Sequence, residues 1–108
     1  MSGFQDMMKK AQAMQAQMAG AQDRIKDLNV EGQSGGGLVR LTLSGKSGVQ
    51  DVHVDASLLS PDEKEVLEDL IAAAVNDARK KMEQKSQEEM AKAMEGLQLP
   101  PGIKIPGL

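Results

Sequence analysis

The sequence contains no cysteine and only one histidine, His53, among its 108 residues. The absence of cysteine excludes a disulfide framework and a thiolate metal site, and it is typical of proteins in a reducing compartment. A single histidine also excludes a metal site built from a pair or cluster of histidines. We therefore expect neither a metal nor a cofactor.

Aromatic residues are almost absent, since the chain has one phenylalanine, Phe4, and neither tyrosine nor tryptophan. No aromatic platform exists on which the bases of a single strand could stack. Eight methionines, with alanine, valine and leucine, must supply the core. Methionine fills irregular space but specifies shape weakly. A small monomer of this composition is expected to be marginally stable, which favours self-association.

Long apolar runs are also missing. No stretch reaches the roughly 18 apolar residues of a membrane-spanning helix, and the N-terminus lacks the apolar run of a signal peptide. We therefore expect a soluble cytoplasmic protein without membrane contact. The net charge of -3 and the pI near 5.1 argue against a protein that coats nucleic acid through bulk charge.

The charges nevertheless segregate along the chain. Residues 62–77 hold six acidic residues and one lysine, whereas residues 79–85 hold four basic residues and one glutamate. Net charge therefore hides a local basic cluster, and the layout of the charges matters more than their total.

The N-terminal quarter predicts an amphipathic helix over residues 4–28. Its apolar positions recur at alternating spacings of three and four residues, as on a coiled-coil seam. These positions are Phe4, Met7, Ala11, Met14, Met18, Ala21, Ile25 and Leu28. An intramolecular packing stripe and a true coiled coil explain the pattern equally well. Gly20 costs this helix about 1 kcal/mol relative to alanine, and the small residues around it indicate a close helix crossing.

Period-two alternation then predicts a three-stranded antiparallel sheet over about residues 29–55. One strand is "LVRLTLS", in which Val39, Leu41 and Leu43 share a face, and the next is "VQDVHVD". "GKSG" forms the turn between them. A third strand around "NVEGQ" is joined through "SGGG", whose glycines permit positive φ. We expect a meander with one apolar face.

A long second helix is predicted over residues 61–95. In "SPDE", Ser60 is expected to be the N-cap, with Pro61 at the first helical position and Glu63 closing a capping box. At 1.5 Å per residue the helix is about 50 Å long. Its far half must therefore project from a compact domain or meet a partner. Residues 1–95 form a single domain in this interpretation, and the proline- and glycine-rich residues 96–108 form an extended tail.

No combination of residues indicates an enzyme or a small-molecule substrate. "SGKSG" contains part of a phosphate-binding loop, but Arg40 stands where that motif needs its first glycine, and the segment joins two strands. His53 shares a polar strand face with Asp51 and Asp55, which solvent exposure explains. A catalytic histidine would need a nucleophile or carboxylate that converges on it.

The basic residues allow two interpretations. On a helical wheel Lys81, Lys85 and Lys92 fall within about 40° of one another, whereas Arg79 and Lys80 point elsewhere. A solvated helix face explains this arrangement, and so does a surface that contacts phosphates. The basic residues of the first helix are offset by nearby aspartates. The residues alone do not decide between the two interpretations.

Four segments in order resemble the YbaB/EbfC family of bacterial nucleoid-associated proteins. They are "GFQDMMKKAQAMQAQM", "EGQSGGGLVRLTLSG", "VDASLLSPDEKEVLEDLIAAAVNDARKKMEQK" and "GLQLPPGIKIPGL". The resemblance implies an α+β fold with an N-terminal helix, a three-stranded antiparallel sheet and a long C-terminal helix. It also implies a homodimer whose helices project like the arms of tweezers.

The same resemblance implies double-stranded DNA binding in the nucleoid, with a role in nucleoid organisation and gene regulation. The contacts are attributed to the terminal helices. The implied DNA-contacting residues are Lys9, Lys10, Arg24, Lys26, Arg79, Lys80, Lys81, Lys85 and Lys92. The rival interpretation from another class is a protein-interaction adaptor whose methionine-lined helices dock a partner without touching DNA.

Overall fold

The fold is α+β, as predicted. The computed structural model describes residues 2–96, and the side chains of residues 3–95. The main elements are α1 (Ser2–Lys26), β1 (Asn29–Ser34), β2 (Val39–Ser44), β3 (Gly48–Val54) and α2 (Lys64–Gly96). The strands form one antiparallel sheet in the order β1-β2-β3. The predicted tail lies outside the described residues, apart from Gly96, which ends α2.

The start of α2 differs from the prediction. Pro61–Glu63 forms a short 3₁₀ turn, and the α-helix begins at Lys64. The predicted capping box is wrong, because the Ser60 side chain makes no capping hydrogen bond. The Glu63 N–H instead donates to the Ser60 carbonyl oxygen at 3.0 Å. The N-terminal helix likewise begins and ends two residues earlier than predicted.

The first hairpin turn needs glycine. Gly35, Gly36 and Gly37 all have positive φ, between 60° and 95°. This conformation costs L-residues with a side chain much more than it costs glycine. The turn pairs β1 with β2 along their whole length, from Asn29 opposite Ser44 to Ser34 opposite Val39. The predicted role of "SGGG" is thus confirmed.

The second hairpin contains a bulge that the alternation pattern did not predict. Asp51 has a φ of 53°, and the register between β2 and β3 shifts between Arg40 and Thr42. Val49 and Val54 still lie opposite the core residues Leu43 and Val39. The extra residue bends β3, which forms one edge of the sheet.

The core lies between α2 and the first two strands. Val30, Val39 and Leu41 from the sheet pack with Ala74 and Ala78 of the helix. A Cβ atom at Gly32 would overlap the Ala74 carbonyl oxygen and the Ala78 side chain. The absence of a side chain at Gly32 therefore allows α2 to lie directly on β1.

Beyond the sheet, α2 packs antiparallel against α1. Ala21 of α1 and Ala93 of α2 are fully buried, as expected for two closely packed helices. We call this paired region, residues 18–28 and 82–95, the arm. The far half of α2 does project, as predicted, and α1 of the same chain is its partner. The described residues extend 75 Å along their longest axis.

The first half of α1 has no packing partner among the described residues. Residues 3–17 are all exposed, and Phe4 and Met7 keep 72% and 70% of their accessible surface. We call residues 3–17 the free segment. The predicted close crossing lies at Ala21 and not at Gly20, where an added Cβ would approach only the Arg24 side chain.

Candidate nucleic-acid interface

The basic stretch of α2 is divided between two sides of the helix. Arg79 and Lys80 line a groove of about 930 Å³ between α2 and the β2–β3 turn, whose apolar wall includes Leu43 and Val75. Lys81 and Lys85 line a smaller recess on the other side, beside β1. The four residues do not form a single patch, because adjacent positions on a helix point about 100° apart.

Lys81 is bound to the sheet. Its Nζ donates to the Glu31 carbonyl oxygen of β1 at 2.9 Å and lies 3.0 Å from Asp77 Oδ2. The same Asp77 oxygen accepts the Gln33 N–H at 3.0 Å. The bond from Gln33 and the ammonium of Lys81 lower the pKa of the Asp77 carboxyl. Lys81 therefore anchors α2 to β1, and its charge is already partly neutralised.

Arg24 and Lys92 converge on one carboxylate. Arg24 Nε lies 2.8 Å from Glu89 Oε2, and Lys92 Nζ lies 3.7 Å from Glu89 Oε1. The Glu89 side chain is only 16% exposed, and the hydrogen bond from Arg24 lowers its pKa. We call these three residues the Glu89 clasp. It joins the two helices of the arm, so that two predicted DNA contacts are engaged within the chain.

Six of the nine predicted residues are exposed and make no ion pair with any other described residue. They are Lys9, Lys10, Lys26, Arg79, Lys80 and Lys85. Two lie on the free segment, one at the end of α1 and three on α2. Lys10 and Lys26 are about 24 Å apart along the helix axis at 1.5 Å per residue. The cations are thus spread along the molecule.

The β2–β3 turn brings some of these cations together. Gly45 packs directly on the end of α1, where an added Cβ would lie 3.1 Å from the Lys26 Cα atom. The same glycine lines the groove that contains Arg79 and Lys80. Lys46, the next residue, is exposed and lies 3.7 Å from Asp27. No pattern in the sequence distinguishes Lys46, because a lysine in a hairpin turn is ordinary.

Four acidic residues at and just before the start of α2 lie apart from this cluster, whereas Asp27 pairs with Lys46 and Glu83 lines the groove. Glu65, Glu68 and Asp69 are exposed on the first turns of α2, and Asp62 is exposed on the 3₁₀ turn before it, at the opposite end of that helix from the arm. The helix therefore changes from acidic at its start to basic over residues 79–85, while residues 88–95 hold three glutamates and one lysine. A polyanion that approaches residues 79–85 meets fewer acidic residues than the net charge suggests.

The polar face of the sheet does not assemble a catalytic group within the described chain. His53 is exposed and paired with Arg40 across the sheet. Asp55 instead accepts hydrogen bonds from the Ser57 hydroxyl and the Ser57 N–H, which lower its pKa. Among residues 2–96, no cluster of three histidine, cysteine or acidic side chains is placed to hold a metal ion. Neither α1 nor α2 contains the long, nearly uncharged apolar stretch that a membrane span requires.

Comparison with known proteins shows which family this chain belongs to. The model of the YbaB/EbfC DNA-binding family matches residues 1–97, and the chain belongs to this family. A nucleoid-associated protein of Maricaulis maris is 49% identical over 106 residues, which cover 98% of this chain and 99% of that protein. The crystal structure of an uncharacterized protein from Helicobacter pylori is 26% identical, with a TM-score of 0.66. That match covers 84% of this chain and 95% of the other.

Proposed function

We propose that this protein is a nucleoid-associated, double-stranded DNA-binding protein of the cytoplasm that acts as a homodimer. The observation that carries the proposal is the set of exposed lysines and arginines that have no ion pair within the described chain, on both terminal helices of a member of a DNA-binding family. The protein has a structural role in the nucleoid, and its effect on gene regulation follows from where it binds on the DNA.

The contacts are mainly to phosphate. Lys9, Lys10, Lys26, Arg79, Lys80 and Lys85 neutralise backbone phosphates and release condensed counterions. Such contacts position a protein without reading sequence, so sequence preference is modest. Glutamines on the exposed part of α1 are long enough to reach base edges in the major groove, where any sequence discrimination would arise. Lys46 adds a further exposed cation on the β2–β3 turn.

The nine residues do not contribute equally. Lys81 holds α2 on β1, and Arg24 and Lys92 hold the arm together through Glu89. Using these three for DNA would require breaking contacts that the free protein already has. We therefore assign them a structural role, with direct phosphate contact left to the six unpaired residues and Lys46.

Dimerisation is supported by apolar side chains that the monomer leaves uncovered. Val49 and Val52 of the edge strand β3 are about half exposed, and Leu59, just after it, is 66% exposed. Val66 and Ile71 are also exposed, on different faces of the first half of α2. Large apolar side chains left exposed near one another mark interaction sites, and here the edge strand offers the closest group. A second copy would also double a set of cations too sparse to bind strongly alone.

Charge substitutions test the DNA proposal. We expect the double variant Lys80→Ala with Lys85→Ala to lose most of its affinity for a short duplex. The matched control is Lys64→Ala, which removes the same kind of charge from an exposed position at the acidic end of α2. Equal affinities for the double variant and the wild-type protein would overturn the assignment of these residues.

A protein-interaction adaptor is the second candidate, and the exposed apolar residues of the free segment favour it. Phe4, Met7, Met8 and Met14 lie exposed on the free segment, and methionine suits adaptable docking. Under this alternative the lysine substitutions leave partner binding intact, while Met7→Asp abolishes it. DNA binding that survives Met7→Asp but not the lysine substitutions favours the first proposal.

A further inference from the structure

The apolar stripe of α1 is covered over only half its length. Met18, Ala21 and Ile25 are buried or half-buried in the arm. The same three-and-four spacing continues through Met14, Met7 and Phe4, which are 39%, 70% and 72% exposed. A helix with a continuous apolar stripe normally buries all of it. Something other than the described residues is therefore expected to cover the free segment.

The antiparallel pairing of the helices indicates which part of the chain is closest to the uncovered stripe. The contact of Arg24 with Glu89 sets the register, which places Ala21 opposite Ala93 and Gly96 opposite about residue 17, the C-terminal end of the free segment. The axis of α2 at Gly96 points along α1 in the direction of Phe4. Residues 97–108, "LQLPPGIKIPGL", follow immediately.

The composition of these twelve residues suits an apolar helix surface. Leucine and isoleucine occupy five positions, and the only charged residue is Lys104. Three prolines exclude a continuation of the helix and favour an extended conformation. The prolines and glycines are typical of a solvated linker, but five leucines and isoleucines in twelve residues are more than such a linker normally contains.

The lengths also agree. From residue 17 to Phe4, the free segment is about 20 Å long at 1.5 Å per residue. An extended segment rises about 3.1 Å per residue, so six or seven residues span that length and twelve are sufficient. Lys9 lies on the side of the helix opposite to the apolar stripe, since its position on the helical wheel is about 170° from the stripe centre.

We propose that residues 97–108 pack in extended form along the apolar stripe of the free segment of the same chain. The leucines and isoleucines of this segment contact Phe4, Met7 and Met14, and Lys9 on the opposite side stays open to solvent. The contact rigidifies the end of the molecule that carries Lys9 and Lys10. It also covers the methionines that an adaptor would present, and it does not depend on DNA binding.

The absence of cysteine allows a clean test by paramagnetic broadening. The full-length variant Lys104→Cys is labelled with a nitroxide, and amide peaks are compared before and after reduction of the label. We expect the peaks of Phe4 and Met7 to be lost and that of Thr42, in the sheet, to be retained. Retention of the Phe4 and Met7 peaks overturns the proposal, and so does a loss confined to Val49 and Val75 in the groove.

Two controls separate this contact from its alternatives. Adding Ile103→Ser and Ile105→Ser to the labelled variant should restore the Phe4 and Met7 peaks, whereas Gln98→Ser should not. In a mixture of spin-labelled unenriched protein and unlabelled ¹⁵N-enriched protein, we expect no broadening. Broadening of the Phe4 and Met7 peaks in that mixture would assign the contact to the partner protomer and contradict the proposal.

Discussion

Lys81 and Asp77 lie one helical turn apart on α2, and their side chains together bind the backbone of β1. Lys81 reaches the Glu31 carbonyl oxygen at 2.9 Å, and Asp77 accepts the Gln33 N–H at 3.0 Å. The two side chains also pair with each other at 3.0 Å. Of the four basic residues in the stretch 79–85, Lys81 therefore stabilises the fold. Its substitution should have a different effect from substitution of the other three.

We expect Lys81→Met and Lys80→Met to have opposite effects. Lys81→Met removes a hydrogen bond and an ion pair between α2 and β1, so the urea midpoint of unfolding should fall while DNA affinity changes little. Lys80→Met should leave the midpoint unchanged and weaken DNA binding severalfold, since each lost phosphate contact lowers affinity. Equal losses of DNA affinity in the two variants would contradict the division of roles.

Acid should weaken the fold partly through Asp77. The Gln33 N–H and the Lys81 ammonium lower the pKa of this carboxyl below its ordinary value of about 4. Its contribution to stability is therefore complete above about pH 4 and is lost as the pH falls through the lowered pKa. Asp77→Asn should flatten the dependence of the urea midpoint on pH below 4. Asp62→Asn, which removes a carboxylate without a hydrogen bond among the described residues, is the control.

Gly32→Ala should destabilise the protein by about 2 kcal/mol or more, since overpacking a core costs about 1–3 kcal/mol and here the obstacle is backbone. The added Cβ would overlap the Ala74 carbonyl oxygen and force α2 away from β1. Gly20→Ala is a matched control in an uncrowded helix position, where we expect stabilisation by about 1 kcal/mol. Urea denaturation followed by circular dichroism measures both changes.

Val52→Lys should dissociate the proposed homodimer. Val52 is 55% exposed on the edge strand, and burying a charge in an apolar interface is costly. The neighbouring variant His53→Lys introduces the same side chain on the opposite face of β3 and should leave the dimer intact. Light scattering distinguishes the two. A monomeric wild-type protein would contradict the homodimer itself, whereas a dimer in both variants would show that the interface lies elsewhere.

The order of elements could be predicted from the sequence because it depends on local patterns. Period-two alternation located the strands, and "SGGG" located a turn that needs positive φ. The bulge at Asp51 and the 3₁₀ turn at Pro61–Glu63 were not predicted, since small adjustments of register and helix start depend on packing.

The sequence also could not predict which basic residues are held in contacts within the fold and which remain free to contact DNA. Arg24 and Glu89 are 65 positions apart, and Lys81 lies 50 positions from Glu31. Contacts between residues so distant in sequence depend on how α2 crosses the sheet and then packs on α1. A helical wheel grouped Lys81, Lys85 and Lys92, but it does not show which of them the fold has already paired.

The central claim is that this protein binds duplex DNA through several phosphate contacts. Its most direct test is the affinity of the purified protein for a short labelled duplex across a salt series. We expect the logarithm of the association constant to fall with the logarithm of salt concentration with a slope of about -4 or steeper, which corresponds to four or more phosphates. No binding even at low salt would contradict the account and favour the protein-docking alternative.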